Sequence, residues 1–355
     1  ALHIGSKDDE GVKRTIHTAV IICLAGGILI TVFGILFSHN ILALMNTKDE
    51  LIDGAVLYLR IYLLGMPALG LYNFGNAVLS AAGDTKRPLY YLAFAGVVNV
   101  ILNLFFVIVC HLGVAGVALA SMISQFISAF LILRALLTGK EKYCLRLSEI
   151  RFDKRKAVGI LQIGIPSAFQ YSLFAFANLF VQSSVNSFDH VLVEGNSAAA
   201  NADPLVYDMM AAFYTACSSF IAQNFGARKK KRILQTYLIC LFYSFITSLV
   251  LGVGIYLARY PFLYLFTSDK AVVEAGITRL SIMALSYSAS AFMDASIAAS
   301  RGLGKTAVPT FVVVMGSCVF RIIWIYTIFA YFHTIQSLYI LYVFSWGITA
   351  IAENI

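Results

Sequence analysis

The chain has 355 residues, of which 60% are hydrophobic and 12% charged, and a mean hydropathy of +0.82. Soluble domains carry about 25% charged residues, so a water-soluble enzyme of ordinary build is excluded. The net charge of +8 does not point to nucleic acid either, because the basic residues sit in short loops between apolar runs and form no basic face.

A membrane-spanning helix needs about 20 apolar residues, and the apolar windows predict an all-α polytopic membrane protein with ten spans. In chain order they fall at 13–37, 51–80, 88–110, 113–137, 158–186, 198–225, 233–258, 272–298, 307–332 and 335–353. Pro88 and Pro309 each occupy a first helical turn, where a missing N–H costs nothing. Assigning loops alternately to two sides puts most basic residues on one of them. That side collects Lys7, Lys13, Arg14, Lys86, Arg87, the run from Arg134 to Lys156 through Lys140, the cluster Arg228 to Arg232, and Arg301 with Lys305. The other side holds only Lys48, Arg259 and Lys270. By the positive-inside rule the basic side is cytoplasmic, which predicts a multi-pass protein of the plasma (inner) membrane with its basic loops against lipid headgroups.

Little else suggests a cofactor or a metal. Cys23, Cys217, Cys240 and Cys318 lie in apolar stretches and read as small buried hydrophobes. His39, His111, His190 and His333 fall at the outer ends of helices with no ligand pair at helical spacing. No Gly-x-x-x-x-Gly-Lys-Ser/Thr loop for ATP occurs.

The chain repeats itself at an offset of 221 residues. Gly5-Ser6-Lys7 falls on Gly226-Ala227-Arg228, Leu42 and Leu44 on Leu263 and Leu265, Asp53 on Glu274, and Gly83-Asp84-Thr85 with Pro88 on Gly304-Lys305-Thr306 with Pro309. Matched segments enter the membrane from the same side, so two related lobes in parallel repeat are expected. The expected division is a first lobe at 1–138, a cytoplasmic linker at 139–157 and a second lobe at 158–355.

Gly164-Ile165-Pro166-Ser167-Ala168-Phe169-Gln170, Ala222-Gln223-Asn224-Phe225-Gly226-Ala227 and Ser300-Arg301-Gly302-Leu303-Gly304-Lys305-Thr306, in this order and spacing, resemble the MATE (multidrug and toxic compound extrusion) transporters. The resemblance implies a twelve-helix fold in two six-helix lobes, about ten helices being present here as three to six and seven to twelve. The 221-residue offset sets the expected start of the first lobe about 63 residues before Ala1, so an N-terminally truncated fragment is expected. Implied too are proton- or sodium-driven efflux of cationic or amphipathic organic compounds by alternating access, and the absence of a cofactor. A lipid-linked flippase of the same superfamily is the alternative, and a polytopic membrane enzyme a remoter one. The expected partners are membrane lipid and a small-molecule substrate, with no nucleic acid, and the chain is expected to be monomeric.

Charges at bilayer depth are functional candidates because they are costly there. The second lobe offers Asp208, Asp294 and Arg321. At 1.5 Å per residue, Arg321 and Asp208 both rise roughly 22 to 26 Å from the inner ends of their helices and Asp294 roughly 13 Å, which pairs Asp208 with Arg321. Asn178 and Tyr287 reach the upper level, and Gln170 lies near Asp294. These residues predict either a substrate or ion cavity, with a sodium ion possible near Asp294, or a structural ion pair. Arg60 and Arg279 are expected to snorkel to the interface. Asn99, Asn103 and Gln125 are first-lobe candidates, with interhelical hydrogen bonding as the plain alternative.

Overall fold

The structure is a computed structural model that describes residues 1–44, 49–139 and 141–354; Lys48, Lys140 and Ile355 lie outside the described residues. After a single turn at Leu2–Gly5, the first compact unit, His3–Ile160, contains α1 (Asp9–Leu44), α2 (Asp49–Leu63), α3 (Met66–Ala81), α4 (Lys86–Val109) and α5 (Gly113–Thr138). The second, Leu161–Ile355, takes most of α6 (Lys154–Val185), then α7 (His190–Ala200), α8 (Ala202–Gly226), α9 (Lys230–Leu257), the short α10 (Arg259–Tyr264), α11 (Lys270–Gly302), α12 (Ala307–Phe332) and α13 (Ile335–Glu353).

Among the described residues nine helical segments are long and apolar enough to cross a membrane, α7 with α8 counted as one, and the pair α2 and α3 makes ten if read as a single span. That pair corrects the sequence reading of a continuous helix at 51–80. It bends by 43°, because Leu64 and Gly65 close a turn before Pro67, which enters the first turn of α3 without needing an amide donor. A second correction concerns the start of the sixth span. Asp189 caps α7, its carboxylate accepting from the Leu192 amide, so helix begins well before residue 198 and breaks at Asn201. Pro166 sits inside α6, where it removes one helical donor.

The first core gathers Ile16, Val20, Tyr72, Leu79, Ile132 and Leu136 from α1, α3 and α5. In the second unit α11 is the central helix, packed by α7, α8, α9 and α13, and its Met283, Tyr287 and Ala291 are buried. Gly252 of α9 lets the backbones of α9 and α11 touch, since a Cβ there would run into the Ala284 carbonyl. Outward-facing residues such as Leu29, Leu36, Phe130 and Ile165 remain exposed, as suits side chains solvated by lipid tails.

The internal repeat is written into the backbone. Lys7, Gly83, Arg228 and Gly304 all adopt the left-handed conformation at helix ends, with φ of 57°, 92°, 57° and 79°. In each case that residue's amide donates to the carbonyl three residues back, and the next amide to the carbonyl five residues before it; Arg228 bonds Phe225 and Lys229 bonds Asn224. This is the Schellman closure, which satisfies otherwise orphaned carbonyls. Lys7 and Arg228 stand 221 residues apart, as do Gly83 and Gly304.

The connector after α5 packs on the first unit. Leu145 is buried in its core. Asp9 pairs with Lys142 at 2.5 Å, Lys13 with Glu149, and Arg14 with Asp153 at 3.8 Å, while the Asp153 amide donates to Thr18 Oγ1 at 3.1 Å.

Candidate functional site: a polar cavity in the second unit

Helices α6, α7, α8, α11, α12 and α13 of the second unit line one cavity of about 640 Å³. Residues three and four apart share a helix face, so α6 contributes Gln170, Phe174 and Asn178, and α8 contributes Asp203, Tyr207, Ala211 and Tyr214. From α11 come Arg279, Asp294 and Arg301. Arg321 of α12 enters beside Tyr342 and Trp346 of α13.

The side chains form three clusters. In the first, Arg279 donates through Nη2 to Asp203 Oδ2 at 2.5 Å and through Nη1 to Asn196 Oδ1 at 2.7 Å, while the Tyr287 hydroxyl donates to the other Asp203 oxygen. In the second, Arg301 donates to the Tyr214 hydroxyl at 2.5 Å and to Gln170 Oε1 at 3.1 Å, and lies over the Tyr171 and Tyr214 rings. In the third, Arg321 is 1% exposed and donates to Asn178 Oδ1 at 2.8 Å and Ser345 Oγ at 3.3 Å. Its guanidinium carbon stands 4.5 Å from the centre of the Tyr342 ring and 5.2 Å from that of Phe174. The helix widens into π turns at Val314–Val319 and Ile325–Phe329, on either side of Arg321.

Of the residues singled out from sequence, Arg321, Asn178, Gln170 and Asp294 line this cavity. Tyr287 is fully buried, off the cavity lining, and donates its hydroxyl to Asp203, which lines it. Asp208 is a correction: it is exposed and off the lining stripe of α8, so it does not pair with Arg321, whose polar partners are neutral. The rise per residue fixes height but not direction around the helix, and one residue beyond Tyr207 is a turn of about 100°. Asn99 and Asn103 belong to the first unit. There the Asn103 amide donates to Asn99 Oδ1 at 3.0 Å and the Asn99 amide to Ser124 Oγ at 3.4 Å, a ladder tying α4 to α5.

Two expectations about arginines also change. Arg279 does not snorkel but is buried in an ion pair with Asp203, a residue that the sequence reading passed over. Arg301, read as a loop charge, is still helical and reaches the cavity. Arg60 is exposed and donates to Ser38 Oγ at 2.9 Å. Among the described residues no three His, Cys, Asp or Glu side chains cluster as a metal site.

A bundle of apolar helices around a polar cavity defines a multi-pass membrane protein. The same fold occurs in the solved structure of a MOP superfamily transporter from Pyrococcus furiosus, at a TM-score of 0.92 and 22% identity, covering 99% of this chain and 79% of the other. The MatE family model matches residues 1–105 and 166–327, and the chain belongs to that family. It is 31% identical over 230 residues to the probable multidrug resistance protein YpnP of Bacillus subtilis, across 64% of this chain and 51% of that protein. It is 27% identical over 292 residues to the probable multidrug resistance protein YoeA of the same organism, across 80% and 63%. The chain thus spans about half to two thirds of the length of these relatives.

Proposed function

We propose that the protein exports amphipathic organic compounds across the plasma membrane by alternating access, driven by a proton or sodium gradient, with 1–138 and 158–355 as its two lobes, 139–157 as the linker, and the basic loops on the cytoplasmic side. Membership of the MatE family supports transport rather than enzymatic turnover. The observation that carries the reading is the cavity of the second unit, whose aromatic walls suit an organic body and whose charges sit within reach of it. Asp294 lines that cavity and has no hydrogen-bond or ion-pair partner among the described residues. It is the group we assign to the coupling proton or sodium ion.

Reconstitution in liposomes tests this. Efflux of a fluorescent amphipathic compound should follow an imposed proton or sodium gradient, stop when an ionophore collapses it, and fall at least tenfold in Asp294→Asn. Efflux indifferent to both gradients would remove the coupling, and an unaltered Asp294→Asn would remove the assignment.

A further inference from the structure

Three arginines and two carboxylates line the cavity: Arg279, Arg301 and Arg321 against Asp203 and Asp294. Asp203 is already engaged by Arg279. Among the described residues no carboxylate lies within ion-pair distance of Arg301 or Arg321. The cavity is therefore left with an excess of positive charge, and its most buried cation is held only by an amide oxygen, a hydroxyl and two rings.

A guanidinium has five N–H donors in a planar fork. Arg321 spends one from Nε and one from Nη1; Nη2 and the amide nitrogen of Asn178 have no acceptor among the described residues. Both residues border the cavity. A buried charge without a counter-charge is costly, and if Arg321 served only to join α6, α12 and α13, a neutral donor could make the same two bonds without it. The fork is matched instead to a carboxylate, sulfonate or phosphate, which it grips through paired N–H donors.

We propose that this cavity is an anion site. It takes an amphipathic organic acid whose acid group lies against Arg321 Nη2 and the Asn178 amide, and whose apolar body lies along Phe174, Tyr342 and Trp346. This replaces the cationic cargo expected from sequence. It rests on the transport reading only in treating the bound acid as cargo, since binding itself needs no gradient.

The test is equilibrium binding to the purified protein in neutral detergent, by calorimetry, with naphthalene-2-sulfonate and the size-matched cation 2-naphthyltrimethylammonium. The sulfonate should bind at least tenfold more tightly, and Arg321→Gln should abolish that preference while Arg321→Lys keeps part of it. Because Arg321→Gln removes buried bonds and could unfold the protein, Asn178→Asp provides an independent arm. It places a carboxylate beside Arg321, so sulfonate affinity should fall at least tenfold while the thermal midpoint holds or rises. Dihexanoylphosphatidylglycerol should bind less tightly than the sulfonate; the opposite order would replace the organic acid with a lipid headgroup. Tighter binding of the cation, or unchanged sulfonate affinity in a folded Asn178→Asp, would overturn the proposal. Sulfonate binding without gradient-driven efflux would instead count against the transport reading and leave the anion site standing.

Discussion

The connector on the first unit and the cavity of the second use charge in opposite ways. On the connector, Lys142 meets Asp9, Lys13 meets Glu149 and Arg14 meets Asp153, each cation finding a carboxylate at a solvent-accessible surface. In the cavity Arg301 and Arg321 are held by hydroxyls, amides and aromatic rings. Exposed pairs contribute little because water and salt compete with them. Buried arginines face little such competition, so their neighbours are coupled strongly to any change in charge. The connector can thus be held by many weak contacts, whereas the cavity depends on a few strong ones.

The largest effect should come from breaking the paired arginine of the cavity. Asp203→Asn leaves Arg279 buried without its carboxylate, and removing one member of such a pair costs about 3–5 kcal/mol. Thermal unfolding in detergent should show a large fall in midpoint, with much of it recovered in the double variant Asp203→Leu with Arg279→Met. A fall of less than about 1 kcal/mol would place the pair with the surface bridges.

Acid should act next, and on the connector. The Lys13 ammonium holds the Glu149 carboxyl below its ordinary range, and the backbone amide of Lys156 does the same for Asp153. Both titrate lower in the fold than in the unfolded chain. Their contribution is complete above about pH 5 and is lost progressively as pH falls past the unfolded values and through the lower folded ones. Limited proteolysis between residues 139 and 157 should therefore accelerate below pH 4 and stay flat from pH 5 to 8.

Salt should have the smallest effect. Lys142→Ala removes an exposed pair with Asp9, worth at most about 1 kcal/mol, and the difference from the parent protein should vanish near 1 M salt, where the Debye length is about 3 Å. The Asp203→Asn deficit should persist at the same salt. If the two deficits shrink alike, the contrast between connector and cavity is wrong.

Much of the fold is legible in the sequence because lipid imposes long apolar helices, and composition reports them directly. The break between α2 and α3 was hidden because Leu64-Gly65-Met66-Pro67 lies inside an apolar run. The start of α7 was hidden for the opposite reason: Glu194, Gly195 and Asn196 look like loop residues, yet Gly195 and Asn196 are buried. Within the site, helical height was readable and azimuth was not, which is why Arg321 and Asn178 were found while Asp208 was mistaken for a lining residue. Asp203 and Arg279 are 76 positions apart. A carboxylate beside the Asn201 break was the one local hint of that pair.

The left-handed helix ends carry a consequence of their own. At Gly83 and Gly304 the backbone uses the residue for which this conformation is free of steric cost. Lys7 and Arg228 adopt it too, although a side chain makes it strained. Glycine at either place would relax the chain and delete a cation. These two positions thus set local ease against charge, and in both halves of the repeat the amino acid present is the one that favours charge.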